Sequence, residues 1–352
     1  MTARSSNTEL QNLTRGLHRT TLPVLAPAPG FDGDVEYARQ VELWQQWIAW
    51  EKEDPLVLKE EDESAYKARI MYTYRQALMA LRFWPEMWCD AADFCFANGL
   101  DSEGNDFLSN GAAANPESCL LALKRADRIE ATTTNEEGEE SIVRKGKAVR
   151  EPLDKVLEAL YSLCTKIKDR EVQTIARINE DAASRTAMIA QQAQVNSIAR
   201  ANGYDDSEDI NESSPEELAK LQTDALINGN AAQVKLISRT ISFVWIAMMR
   251  AMRRVQGKGK VGEPIGGSRQ VFTDARAKGR LTSDVYVASA LIEHHCYQDP
   301  AATKIFDRGM KLFKEDEQFA LEYLKHLIAI NDTTSKFPGF LIGSTQVLIP
   351  RQ

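Results

Sequence analysis

The sequence is poor in the residues that interrupt helices or favour strands. Glycine and proline account for only 19 and 12 of the 352 residues, and runs of valine, isoleucine and threonine are scarce. Alanine, leucine, glutamate, lysine, arginine and glutamine dominate instead, and these residues favour helix. With 43% apolar residues, the chain can bury a sizeable core. The composition therefore predicts an all-α protein.

Cysteine is scarce and follows no functional pattern. The five cysteines are Cys89, Cys95, Cys119, Cys164 and Cys296. Their number is odd and no two of them have CxxC spacing, which argues against a disulfide framework and against a zinc cluster. The sequence therefore predicts no metal site and a reducing compartment.

Long hydrophobic runs are also missing. The most apolar stretch, 237–252, contains Arg239 and Arg250 and is shorter than the roughly 20 residues that a membrane span needs. The N-terminus has no apolar segment of the kind found in secretory signals. We therefore expect a cytosolic or nuclear protein with no membrane contact. The net charge of -8 argues against wholesale coating of nucleic acid.

Aromatic and apolar residues recur at offsets i, i+3, i+4 and i+7, which mark one face of a helix. The first residues of these faces are Trp44, Trp88, Trp245 and Tyr286. The first two are 44 residues apart and the last two are 41 residues apart. This spacing is typical of stacked helix-pair repeats, in which neighbouring pairs bury the aromatic face. The sequence therefore predicts a HAT/TPR-like helix-pair solenoid (an α-α superhelix) with these four residues as core anchors.

Composition divides the chain into segments of different character. Residues 1–35 are polar and rich in threonine, proline and glycine, and we expect a disordered or extended lead-in. The solenoid is expected over 36–334, with exposed inserts near 131–150 and 169–217. The second insert is expected to be a protruding helix or disorder, ending in an acidic, serine-rich loop. Residues 335–352 form an atypical, apolar tail.

Two short motifs could carry chemistry but are better explained by structure. The segment 257–262 matches GxGxxG, yet a helical segment precedes it where a dinucleotide-binding turn requires a strand, so we expect an inter-helix loop. His294, His295 and Cys296 are adjacent and would point about 100° apart on a helix, so they do not converge on a metal. No paired carboxylates, nucleophile motif or phosphate loop is found. We therefore predict no catalytic residue and no cofactor, and a protein that is not an enzyme.

One cluster of charge stands out from the acidic chain. Between Arg250 and Arg280, nine basic residues are opposed only by Glu263 and Asp274. The candidate contacts for RNA phosphates or an acidic partner are Arg250, Arg253, Arg254, Lys258 and Lys260. The alternative is a solvated face that offsets the acidic insert, because charge runs are commonly just solvated.

Four blocks of sequence carry a family resemblance. They are VELWQQWIAWEKEDPL (41–56), ARIMYTYRQALMAL (68–81), VWIAMMRAMRR (244–254) and VYVASALIEHHCYQDPAATKIFDRGMKLF (285–313). Together they resemble the HAT repeats of the suppressor-of-forked family, the large scaffold subunit of the mRNA cleavage stimulation factor or, in fungi, of the pre-mRNA cleavage factor. The resemblance implies a nuclear scaffold in pre-mRNA 3′-end cleavage and polyadenylation. It also implies binding to other processing subunits, including an RNA-binding subunit, with mostly indirect RNA contact.

The match is to the C-terminal half of the family's HAT array, so we expect a form truncated at both ends. The family pattern stops near Thr334, and the tail that follows is unfamiliar. The resemblance implies a homodimer in the full-length form, built from the later repeats, here roughly 282–332. The alternative function is a HAT or TPR-like scaffold in another RNA process, such as splicing or ribosome biogenesis.

Overall fold

The computed structural model describes residues 3–19, 22–133, 138–201 and 214–330, with the side chains of 196–201 excepted. Every regular element in these ranges is an α-helix, and there are thirteen of them. The all-α prediction is therefore confirmed. Among the described helices, none combines the length and apolarity needed to cross a membrane.

The chain divides into two compact units, Met1–Ile237 and Ser238–Gln352. The first contains α1 (Ala3–Leu13), α2 (Asp34–Lys52), α3 (Leu58–Glu61), α4 (Glu63–Ala80), α5 (Pro85–Ala97), α6 (Asp101–Ala114), α7 (Cys119–Thr132) and α8 (Glu139–Ala201). The unit boundary falls within α9 (Pro215–Gln256). The second unit continues with α10 (Gly267–Lys278), α11 (Ser283–Tyr297), α12 (Ala301–Leu312) and α13 (Glu317–Ala329).

Helix boundaries in the first unit follow from local sequence. The Asp62 side chain accepts a hydrogen bond from the backbone N–H of Ala65 and so caps α4, and Ser118 caps α7 in the same way. Pro85 stands in the first turn of α5, where its missing N–H costs nothing. These caps satisfy backbone donors that the helix itself cannot satisfy.

The core of the first unit is built from the apolar faces of α2, α4, α5 and α6. From α3 to α8 each helix contacts the next, α5 with α6 and α7 with α8 most extensively, and α2 packs on α4. Trp88 of α5 packs against Gly111 of α6, where an added Cβ would lie 2.8 Å from the Cβ of Trp88. The glycine therefore sets how closely α5 and α6 approach.

The second unit repeats this construction around aromatic rings. Tyr286 of α11 makes edge contacts with Phe272 and Phe313, at ring-centroid distances of 5.3 and 5.5 Å. An added Cβ on Gly309 of α12 would lie 2.3 Å from the Cζ atom of Phe319. As in the first unit, a small residue on one helix makes room for an aromatic side chain of the next.

The expectation of a disordered or extended lead-in over 1–35 is wrong for its first part, which forms α1. Leu10, Leu13 and Leu17 pack against the core of the first unit, and this apolar spacing is easily overlooked among polar neighbours. The side chain of Gln40 ties the lead-in to α2, because its Oε1 accepts from the N–H of His18 and its Nε2 donates to the carbonyl of Gly16. Residues 22–29 contain no helix.

The two expected inserts are also mostly helical. Helix α8 begins at Glu139, and Val149 is completely buried, so the interpretation of 131–150 as an exposed loop is wrong from 139 onward. The spacing from Val149 to Leu153 and Val156 continues one buried face into the rest of α8. Of the two alternatives for the second insert, helix holds over 169–201. Residues 202–213 and the tail 335–352 lie outside the described residues.

Candidate partner-binding surface

The basic cluster starts on the last turns of α9. Arg250 and Arg254 are exposed and Arg253 is half-buried. Positions four residues apart share one helix face, so Arg250 and Arg254 present their charge together. Cations near a helix C-terminus are also stabilised by the carbonyl dipoles at that end. These three arginines form what we call the α9 arginine face.

Two lysines of the cluster form ion pairs with carboxylates of the chain itself. Lys258 Nζ lies 2.6 Å from Asp299 Oδ2, and Lys260 Nζ lies 3.2 Å from Glu263 Oε1 on the surface. The hydrogen bond from Lys258, together with the backbone N–H of Ala301, keeps the pKa of Asp299 well below its ordinary value. Lys258 is therefore engaged in holding the α9–α10 loop to the segment that follows α11.

Arg269 completes this ion-pair network. Its guanidinium donates to both carboxylate oxygens of the buried Glu293, at 2.6 and 2.7 Å, and to Asp299 at 2.8 Å. The bidentate pairing with Glu293 raises the pKa of Arg269 further above its ordinary value. Bidentate arginine–carboxylate pairs are among the strongest side-chain hydrogen bonds. The network joins α10 to α11 and is structural in character.

The GxGxxG segment is an inter-helix loop, as its context predicted. Helix α9 precedes it, and the first N–H groups of α10 are already used within the chain. The N–H of Gly267 donates to Gln256 Oε1 and that of Ser268 donates to the carbonyl of Gly257. Gly259 has a φ of +63°, and an added Cβ would lie 2.1 Å from the carbonyl carbon of Gly266. The glycines thus permit a close backbone crossing and leave no cradle of free N–H groups for a phosphate.

The predicted core anchors are all buried. Trp44, Trp88, Trp245 and Tyr286 are exposed by 1%, 9%, 2% and 5%. The Trp44 ring stacks on that of Trp47 at a centroid distance of 5.4 Å. Trp47 and Trp50, which continue the stripe of Trp44 along α2, are buried as well, so this stripe offers no exposed ring face on which a nucleic-acid base could stack.

Sequence reasoning missed the partners of the buried glutamates on these faces. Glu51 accepts two hydrogen bonds from Arg69, both at 3.0 Å, and one from Trp47 Nε1 at 3.1 Å. Glu293 has the same arrangement with Arg269. The signal was present, because both glutamates stand at the i+7 offset of an anchor and would otherwise be unpaired charges in the core.

Three of the four histidines meet in the second unit. His294 of α11 lies beside His295 and His326 of α13, with ring centroids 4.9 and 4.8 Å apart. His326 Nε2 is 3.0 Å from the hydroxyl of Thr303. Burial and the two neighbouring imidazoles lower the pKa of His326. Among the described residues, no group of three or more His, Cys, Asp or Glu side chains could hold a metal ion.

Comparison with known proteins identifies the family. The model described as suppressor of forked protein (Suf) matches residues 1–336. The mRNA 3′-end-processing protein rna14 of Aspergillus fumigatus is 61% identical over 333 residues, covering 94% of this chain and 31% of the relative. Its counterpart in Aspergillus oryzae is 59% identical over 334 residues, covering 94% and 30%. For rna-14 of Neurospora crassa the identity is 50% over 348 residues, covering 95% and 28%.

This chain spans about a third of the length of the curated relatives it matches. Within that span the match is nearly continuous and its helix-pair fold agrees with the HAT-repeat class that the resemblance implied. The chain belongs to the suppressor-of-forked family.

Proposed function

We propose that this chain acts as a scaffold in pre-mRNA 3′-end cleavage and polyadenylation, in the nucleus, where it holds other processing factors together. The observation that carries the proposal is the 61% identity to a relative named as an mRNA 3′-end-processing protein, over 94% of this chain. The helix-pair fold is compatible with a scaffold. The ion pairs of Arg69 with Glu51 and of Arg269 with Glu293 join packed helices within it.

The experiment is purification of a tagged chain from its own cells, followed by mass spectrometry of the bound proteins. Recovery of cleavage and polyadenylation subunits, including an RNA-binding subunit, is the expected result. Recovery of spliceosomal or pre-ribosomal proteins in their place would favour the alternative scaffold function and contradict this one.

Self-association is part of the proposed function. We infer a dimer contact in the later repeats, as the resemblance implies for the full-length form. In support, the described surface of that region exposes Leu312, Leu321 and Ile328 by 60%, 45% and 66%. Exposed aliphatic side chains of this kind are typical of contact surfaces when they cluster. Light scattering should show a dimer that Leu321→Glu weakens. A monomer that persists as the protein is concentrated would contradict the proposal.

Direct RNA contact is a second candidate activity, favoured by the exposure of Arg250 and Arg254 on one helix face. An acidic protein partner would be attracted by the same charges.

A further inference from the structure

An open groove of about 640 Å³ lies between α4 and α6 in the first unit. Its lining includes four buried apolar side chains, those of Met71, Leu78, Trp88 and Phe107. The volume falls within the roughly 300–1,000 Å³ of typical ligand pockets. We call this feature the α4–α6 groove.

One wall of the groove is basic. Arg75 and Met79 line it from α4, where a spacing of four residues places them on one helix face, and Arg82 joins them from the turn that follows the helix. The Met79 side chain is 49% exposed. An apolar side chain of this size on the lip of a groove offers a flexible contact surface.

The opposite wall is acidic. Glu103, Asp106 and Asn110 line it from α6, again at helical spacing. Within the described part of the chain, neither Glu103 nor Asp106 forms an ion pair with the arginines across the groove. The groove therefore presents two facing charges of opposite sign that an occupant could satisfy.

The chain itself shows what kind of segment the groove accepts. Pro23, in the helix-free stretch 22–29, forms part of the lining. The neighbouring Leu22 and Leu25 are 77% and 69% exposed, so the lead-in touches the groove without filling it. An extended proline-containing peptide has three residues per turn. Such a peptide can direct one side chain to the floor and the next two to opposite walls.

We propose that the α4–α6 groove binds an extended, proline-containing peptide of a partner protein. An aliphatic side chain of this peptide lies against Trp88 and Phe107, an acidic residue faces Arg75 and Arg82, and a basic residue faces Glu103 and Asp106. RNA fits less well, because the acidic wall repels phosphate. The inference deepens the proposed scaffold function and rests on it only for the existence of a partner.

The test uses the full chain and three labelled synthetic peptides in fluorescence anisotropy titrations. The first is Leu-Asp-Pro-Leu-Pro-Lys, in which both leucines share one face and the two charged residues lie on the other two; the second replaces its charged residues by Asn and Gln, and the third replaces both leucines by glycine. The first peptide should bind, and the neutral peptide should bind roughly three- to tenfold more weakly, as expected for two partly exposed ion pairs. The glycine peptide should show no binding.

Two exposed residues of α4 provide a matched pair of variants. Met79→Asp places a charge on the groove and should weaken binding at least tenfold. Tyr72→Asp is the control, because Tyr72 is 56% exposed and does not line the groove. This variant should bind the first peptide with an affinity within twofold of that of the wild-type chain. Equal effects of the two variants, absence of binding to the wild-type chain, or displacement of the peptide by a polyuridine oligomer would each overturn the proposal. The cellular purification is independent, so a failed titration leaves the proposed process intact.

Discussion

A single methyl group added at Gly111 tests whether the close approach of α5 and α6 holds the first unit together. Gly111 lies inside α6 and is buried. The Cβ of an alanine at this position would lie 2.8 Å from both Cβ and Cγ of Trp88, and 3.0 Å from its Cδ2. The Trp88 Cβ is attached to the backbone of α5, so rotation of the indole ring cannot relieve the contact.

Two opposing contributions set the change in the free energy of unfolding caused by Gly111→Ala. Inserting a methyl group into a packed contact costs typically about 1–3 kcal/mol, and this site belongs to the upper part of that range because the helices themselves must separate. Replacing glycine by alanine inside a helix contributes about 1 kcal/mol in the opposite direction. We therefore expect Gly111→Ala to lower the free energy of unfolding of the first unit by about 1–2 kcal/mol.

Gly229→Ala is the matched control. Gly229 is also inside a helix, has no positive φ, and has nothing within 4 Å of an added Cβ. This variant should gain roughly 0.4–1 kcal/mol of stability. Urea unfolding followed by tryptophan fluorescence reports mainly on the first unit, which contains every tryptophan except Trp245. A Gly111→Ala protein as stable as the wild type would refute the packing argument, whatever the control shows.

Four further outcomes follow from the same contacts. Trp44→Ala should cost about 3–5 kcal/mol, because the ring is 1% exposed; a loss below about 1 kcal/mol in urea unfolding would be that of a surface site. Asp299→Ala should lower the melting temperature of the second unit, since Lys258 and Arg269 lose a shared acceptor, and unchanged melting by differential scanning calorimetry would show the network to be dispensable. Reversing Arg250 and Arg254 to Glu should weaken RNA crosslinking and flatten its salt dependence; crosslinking that is unaffected at all salt concentrations would favour a merely solvated face. Folding lowers the pKa of His326, so the folded state resists protonation of this ring. The free energy of unfolding is therefore highest above about pH 6.5 and decreases as the pH falls below that value. Denaturant titrations at several pH values should show that His326→Gln reduces this pH dependence.

The fold class could be predicted from the sequence because helix propensity and apolar spacing are local features that repeat along the chain. Helix propensity and the offsets from Trp44 and Tyr286 do not depend on which helices pack together. Burial of the anchors follows directly, because an aromatic stripe that recurs in every helix pair is removed from water only when neighbouring pairs stack on it. The α1 helix was missed because its two leucines, Leu10 and Leu13, stand among polar residues, and only their packing against the core of the first unit identifies them as an apolar face.

At the candidate site, local sequence does not predict which basic residues form ion pairs. The excess of positive charge over 250–280 is visible in the sequence, but charge counts do not say which cations already have partners. Asp299 lies 41 residues from Lys258 in the chain, and no periodicity connects them.

The sequence by itself determined that this protein is helical, repetitive and similar to one family, because propensity, spacing and identity are read along the chain. Tertiary structure alone decided which charges are engaged and which surfaces are open. It paired Arg69 and Arg269 with buried glutamates and brought basic and acidic side chains to opposite sides of an apolar groove. The reason is physical: an ion pair or a groove depends on distances of a few ångströms between residues far apart in sequence, and packing sets those distances.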